Sequence, residues 1–351
     1  MNPQVCIIIL NWNNWRDTVK CLESVFQIEY PEYGVIIVDN GSEDDSIYEI
    51  KRYYQGDVNT KHNDYKKSRK LIEIEEEDLK TVTPTISDFN QYKSSPFDEK
   101  LVIIKNSRNY GFTKGNNIGI EFVFQKFDSD YILLLNNDTI VDKYFLNELV
   151  LVGESAGDIG FIGPKIYFYE YAGKLCDNII QYAGGKQNLW IFEPDPIGYG
   201  EIDQGQYDKN KNVDFISGSC MLAKTTMIRE IGLMDEEFFS YREENDWCIR
   251  AKKKGWRTFF AYKSVIWHKG QGSTKNRDLK PFILYYMTKN RFLFMKKHAD
   301  KLQLTIFLLH FFLFDFWYRI SASLLYHQQP KLVSCLMKAV KDGLKILSDK
   351  R

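Results

Sequence analysis

No C-x-x-C pair occurs among the six cysteines of this 351-residue chain, which removes zinc knuckles and thiol redox motifs from consideration. Scattered at Cys6, Cys21, Cys176, Cys220, Cys248 and Cys335, they read as small buried hydrophobes in a reducing, cytoplasmic setting. Net charge is absent too: 47 Lys+Arg balance 47 Asp+Glu. A whole-chain nucleic-acid binder is basic, so that class is disfavoured. There is no internal repeat. The first ten residues carry no basic stretch, and their apolar run, Val5–Leu10, is too short for the apolar segment of a signal peptide; it is expected to be a strand. Neither G-x-G-x-x-G nor the phosphate-binding G-x-x-x-x-G-K-[ST] is present.

What is present is a globular composition, with 44% hydrophobic and 15% aromatic residues. The zero net charge conceals an asymmetry. From Lys275 onward there are 15 Lys/Arg against 5 Asp/Glu, leaving 32 against 42 before it. This points to a catalytic body over residues 1–274 followed by a basic, helical tail over 275–351 that meets an anionic surface.

Val5–Leu10, Val35–Val38, Leu101–Ile104 and Tyr131–Leu135 are short, continuously apolar runs, expected as strands of a parallel sheet covered on both faces. Trp15–Ile28, Gly115–Phe127 and Lys143–Ala156 have helical spacing. The fold expected is α/β with an open, mostly parallel sheet flanked by helices. Residues 56–100 hold 18 charged residues in 45 and read as a charged surface insertion. The region 153–218 is rich in Gly, Tyr and Asp and is expected to build a binding surface from short strands and loops.

Each of the four strands ends in Asn or Asp: Asn11; Asp39, with Asn40 and Ser42 after it; Asn106 and Asn109; and Asn136-Asn137-Asp138. Any one of these suits a turn, but ligands of open α/β sheets bind at that edge. Gly111-Phe-Thr-Lys-Gly115-Asn116-Asn117-Ile-Gly119 is a glycine-rich entry to a helix, where backbone N–H groups approach a ligand closely. Asn136 and Asp138 suit a shared hard cation. Glu243-Glu244-Asn245-Asp246 opens another helix. Its acids serve either as N-terminal charge or, against the aromatic segment before them, as a general base. His268 ends a further apolar strand and suits a metal or a phosphate.

Taken together, VDNGSEDDS at 38–46, NSRNYGFTKGNNIGI at 106–120, LLLNNDTIV at 133–141, SGSCML at 217–222, IGLMDEEFFSYREENDWCIRAKKKGW at 231–256 and IWHKGQGST at 266–274 resemble the family-2 glycosyltransferases of the GT-A fold. The branch most resembled is the rhamnosyltransferases of bacterial polysaccharide assembly. The resemblance implies an inverting, metal-dependent transfer from a nucleotide-sugar, dTDP-rhamnose by the branch, to a saccharide or polyprenyl-linked acceptor. It implies that Asp39 contacts the nucleotide base, within a donor site of Asn11, Asn40, Ser42, Asn109, Gly111, Asn116 and Asn137. Asn136 and Asp138 take the ends of the family's D-x-D motif, and with His268 they would hold Mg²⁺ or Mn²⁺. Glu243, Glu244 and Asp246 match E-D-x-D, with Glu244 where the family places its base. The departures, Asn136 and Glu244, leave a non-catalytic relative that binds sugars or a partner as the alternative.

The tail adds Leu302–Leu325, long enough to span a bilayer but interrupted by Asp315 and Arg319. After it, Val333, Leu336, Met337, Val340, Leu344 and Leu347 form one apolar stripe on a lysine-rich helix. The expectation is a peripheral contact with the cytoplasmic face of a membrane. Packing on the chain's own body or in a homodimer is the alternative.

Overall fold

The structure, a computed structural model, describes residues 2–56, 70–81, 100–171, 174–176, 178–270 and 281–349. Its framework begins with β1 (Val5–Asn11), α1 (Trp15–Val25), β2 (Tyr33–Asp39) and α2 (Ser46–Gln55). Next come β3 (Lys70–Glu75), β4 (Lys100–Lys105), α3 (Gly111–Lys126), β5 (Tyr131–Asn136), β6 (Thr139–Val141) and α4 (Phe145–Glu154). Then follow β7 (Ile159–Phe168), β8 (Cys220–Lys224), α5 (Glu243–Lys253) and β9 (Arg257–His268). The sheet runs Lys211–Asn212, β9, β7, β8, β5, β1, β2, β4, β3. Strands β1 to β5 pair in parallel, β8 runs antiparallel to β5 and β7, and β9 lies parallel to β7. This is the expected mostly parallel sheet flanked by helices.

Aliphatic runs explain the strands. Val5 to Ile9, Ile36 to Val38 and Leu101 to Ile104 are all buried, because helices cover both faces. Helix α3 shows how close that cover is. A Cβ on Gly115 would stand 2.6 Å from Leu10 Cδ1, and one on Gly119 would stand 2.8 Å from Ile8 Cγ2. These two glycines therefore serve helix-on-sheet packing rather than ligand approach.

Two expectations change. Part of the charged insertion is an edge strand: β3 pairs with β4 in register, Ile72 opposite Val102. Glu73 takes Lys51 at 2.5 Å and Lys105 at 2.9 Å, so the edge is lined with charge pairs. The basic residues 66, 67 and 69 lie outside the described residues. Second, β7 is a ten-residue strand inside the region expected to be short strands and loops. Gly160, Gly163 and Pro164 hide its apolar pattern.

The tail is helical: α6 (Pro281–His298), α7 (Lys301–Tyr326, with π turns at Phe311–Asp315 and Ala322–Tyr326) and α8 (Pro330–Ser348). Phe292, Phe294, Phe307, Phe311, Leu332, Leu336 and Val340 form its own core with Phe192 and Phe238 from the body. The stripe on α8 is split: Leu336 and Val340 are buried and Gly343 lies against the Phe292 ring, while Met337 and Leu344 stay exposed. The larger free apolar surface is on α7, where Leu309, Leu313, Trp317 and Leu325 are 56–77% exposed. By length and composition α7 is long and apolar enough to cross a membrane.

Candidate active site

The carboxyl ends of β1, β2 and β5 converge on one polar cradle. Asn11 Nδ2 donates to Asp39 Oδ1 at 2.7 Å, and Thr18 Oγ1 donates to Asn11 Oδ1 at 2.7 Å. Ser42 folds back on Asp39, its Oγ donating to Oδ1 at 2.6 Å and its N–H to Oδ2 at 3.0 Å. Asp39 is thereby fixed in place: Oδ1 accepts two hydrogen bonds, and Oδ2, accepting one, keeps a lone pair to spare.

Three candidates for donor contact make hydrogen bonds within the protein. Asn40 donates to Asn109 Oδ1 and to the Gly111 carbonyl, both at 3.0 Å, and accepts from Asn106 and from the Tyr110 N–H. It ties β2 to the loop that opens α3. Asn116 donates to the Phe112 carbonyl at 2.9 Å within α3. Asn137 donates to Thr18 Oγ1 at 2.9 Å. These hydrogen bonds brace the cradle. Asn109 in turn accepts from the Gly111 N–H at 2.8 Å.

At the end of β5, Asp138 faces His268, the last residue of β9. Oδ1 stands 3.1 Å from Nε2, and Asn136 Nδ2 lies 3.4 Å from the same nitrogen. The Gly270 N–H donates to Asp138 Oδ2 at 3.2 Å. Burial opposes charge on Asp138, but His268 and these donors outweigh it and hold its carboxyl below the usual value. His268 Nδ1 lies 2.7 Å from Gln181 Oε1, an acceptor, so Nδ1 carries the hydrogen and Nε2 is the nitrogen turned to Asp138. Gln181 sits in a region without a motif, and sequence reasoning missed it.

Among the described residues no three His, Cys, Asp or Glu side chains gather as a closed metal site. What exists is an open pair, a carboxylate oxygen facing an imidazole nitrogen beside an amide. That donor set fits a divalent cation that completes its shell with water and diphosphate oxygens.

The acids of α5 divide into two environments. Glu243 is 4% exposed, and its Oε2 has no hydrogen-bond partner. Burial, reinforced by neighbouring Glu244, pushes its carboxyl well above the ordinary value. Glu244 is half-buried; burial raises it as well, with Arg242 partly offsetting the shift. Asp246 differs from the expectation that it shares this role. Burial alone would raise it, but His298 Nε2 at 2.7 Å and Arg250 Nε at 2.8 Å hold it ionised below the usual value. It anchors the helix and is not a free acid.

The backbone leading into these acids is held in an uncommon shape. Phe239, Tyr241 and Arg242 all have positive φ, at 56°, 69° and 77°. Asn290 of α6 donates to the carbonyls of Phe238, Ser240 and Tyr241 at 2.8, 2.9 and 2.7 Å. Neither Asn290 nor His298 belongs to a sequence motif, so only the fold reveals them.

A sheet of this order, mostly parallel and flanked by helices with a polar cradle at its carboxyl edge, has the layout of the GT-A fold. Residues 75–282 match the family described as "Glycosyltransferase like family 2", and residues 6–71 match "Glycosyl transferase family 2". The chain belongs to glycosyltransferase family 2. Among its relatives is the low-salt glycan biosynthesis hexosyltransferase Agl10 of Haloferax volcanii, 27% identical over 206 residues, or 58% of this chain and 64% of that protein. Another is the dTDP-rhamnosyl transferase RfbF of Shigella flexneri, 25% identical over 219 residues, 59% of this chain and 67% of that one. In fold the chain is similar to the mannosyltransferase PcManGT from Pyrobaculum calidifontis, solved with GDP-Man and Mn²⁺. The TM-score is 0.53 at 10% identity, covering 100% of this chain and 77% of that one.

Proposed function

We propose that the protein is an inverting glycosyltransferase that moves L-rhamnose from dTDP-rhamnose onto a saccharide or lipid-linked saccharide in cell-surface polysaccharide assembly. The observation that carries the catalytic reading is the Asp138–His268 pair at 3.1 Å, open on one side and oriented behind by Gln181. The rhamnosyl assignment rests on relatives such as RfbF.

In this reading Asp39 and Ser42 receive the nucleotide, and Asp138, His268 and Asn136 would hold Mg²⁺ or Mn²⁺. That cation supplies charge neutralisation for the departing diphosphate. Glu244 takes the proton from the acceptor hydroxyl as it attacks the far face of the sugar; a raised proton affinity suits that task near neutral pH. Glu243 backs it as a buried, protonated neighbour. One working base is enough for a single displacement, which inverts the anomeric centre; retention calls for a carboxylate nucleophile.

The tail supports membrane contact at the cytoplasmic face. On α7 Asp315 and Arg319 turn inward, Arg319 Nε donating to Asp315 Oδ1 at 3.1 Å and Asp315 pairing with Arg291. The outward face is left to Leu309, Leu313, Trp317 and Leu325. A one-sided apolar helix suits lying in the interface.

The test is a thermal-shift screen of dTDP, UDP and GDP with Mn²⁺, because a ligand that binds only the native state raises Tm. A shift with dTDP in Mn²⁺ that is lost in Asp138→Ala supports the reading. No shift with any of the three refutes it.

A further inference from the structure

Arg242 immediately precedes the two acids of α5. It is 8% exposed, and its Nε has no hydrogen-bond partner. Among the described residues no ion pair reaches its guanidinium; its neighbour is the ring of Phe192, 5.6 Å from Cζ to centroid. A buried charge without a partner is costly unless something compensates it.

Burial is the main cost to its charge; Glu244 and Glu193 offset part of it through space, without a direct contact. Arg291 and Arg319 lie close enough to oppose its charge. The acids nearby are already engaged with those two: Arg291 pairs with Asp315 and stands 3.3 Å from Glu193, while Arg319 lies 3.1 Å from Asp315 and 4.0 Å from Glu193. Glu244 acts on Arg242 only through space. Arg291 Nε is itself buried without a partner. Glu193 has a half-exposed side chain, so the cluster reaches solvent. On one side stand the acids of α5, and on the other the apolar helix α7, which supplies Asp315 and Arg319. The loop carrying Arg242 is pinned by Asn290, so the guanidinium is pre-positioned.

We infer that Arg242, backed by Arg291 and Arg319, forms a phosphate-binding subsite for the acceptor, between the proposed base and α7. This rests on the glycosyltransferase reading, since it places the bound group on the acceptor. A guanidinium offers a planar fork that matches phosphate oxygens in two hydrogen bonds, and a phosphate would give Arg242 the direct partner it lacks. The phosphate belongs either to a lipid anchor or to the saccharide itself.

The test is calorimetric titration of the full-length protein, its donor site filled with nucleoside diphosphate and Mn²⁺. The probes are farnesyl phosphate, inorganic phosphate and farnesol. Both phosphates are expected to bind the wild type, and Arg242→Gln and Arg319→Gln each to weaken them at least tenfold. Nucleoside diphosphate affinity should change less than twofold, and farnesol binding should not respond to either substitution. Farnesyl phosphate binding tenfold tighter than inorganic phosphate identifies a lipid anchor; equal affinity identifies a saccharide phosphate. If Arg242→Gln does not fold, Arg242→Lys keeps the charge and loses the fork, and an intermediate loss is expected. Equal phosphate affinity in wild type and the Arg242 and Arg319 variants, or none in the wild type, overturns the subsite. Failure of nucleoside diphosphate to bind instead counts against the glycosyltransferase reading, and phosphate titration of the free protein then still tests the cluster.

Discussion

His298 Nε2 stands 2.7 Å from Asp246 Oδ1, joining the last turn of α6 to the first turn of the helix that carries Glu243 and Glu244. Both partners are almost fully buried, at 5% and 1% side-chain exposure. The tail is therefore tied into the catalytic unit through the acid that sequence alone groups with the base. Asp246→Asn should lower Tm while the Glu244 carboxyl remains to act; His298→Ala should do the same. Thermal unfolding beside kcat separates the two effects: a Tm unchanged from wild type in both variants contradicts an anchoring role.

Glu244→Gln should lower kcat by about 10²–10⁴-fold, the range expected when a general base is removed. Nucleoside diphosphate binding should be unchanged, because Gln keeps the shape. Near wild-type turnover in this variant would transfer the role to another group.

The sheet was legible because its strands are unbroken aliphatic runs, and the acids were legible because they fall in motifs. The remainder depends on long-range geometry. Gln181, Asn290 and His298 reach their partners 87, 49 to 52 and 52 residues away in sequence. Nothing local marks them. Strand β7 was concealed by its own glycines and proline, and β3 by the charges that protect a sheet edge. Asn40, Asn116 and Asn137 are ambiguous for the opposite reason: an Asn that caps and braces loops has the same composition as one that binds a ligand.

A pH profile follows from the raised carboxyls. Burial lifts Glu244, so ionising it takes a pH above the ordinary carboxylate range, and kcat/KM should rise with pH through that displaced value. Arg242→Gln removes the offsetting charge and should move the inflection further up. An inflection at or below about 4, the range of unperturbed carboxyls, contradicts a base whose carboxyl is raised by its surroundings.

Glu243 makes the corresponding statement about stability. Its folded value is raised, so the folded state holds a proton that the unfolded chain releases near about 4.3. Stability is full below that pH and falls as pH rises toward the folded value. Glu243→Gln should therefore raise Tm more at pH 8 than at pH 4, as scanning calorimetry at the two values will show. A Tm gain that is equal at both contradicts a protonated Glu243.

The exposed face of α7 gives a contrast between surface and core. Leu313→Glu with Leu325→Glu should abolish flotation with anionic vesicles and leave Tm within a few degrees. Leu336→Ala, in the tail core, should cost about 2–5 kcal/mol of stability. Vesicle binding that survives the glutamates would assign α7 to protein contact instead.

The central claim is transfer from a nucleotide-sugar, held at Asp138 and His268 and driven by Glu244. The direct measurement is nucleoside diphosphate release by the purified protein across a panel of nucleotide-sugars, with Mn²⁺ or with EDTA. The account predicts release from dTDP-rhamnose in Mn²⁺, none in EDTA, and loss in both Asp138→Ala and Glu244→Gln. Undiminished release in EDTA, or from both variants, would contradict it.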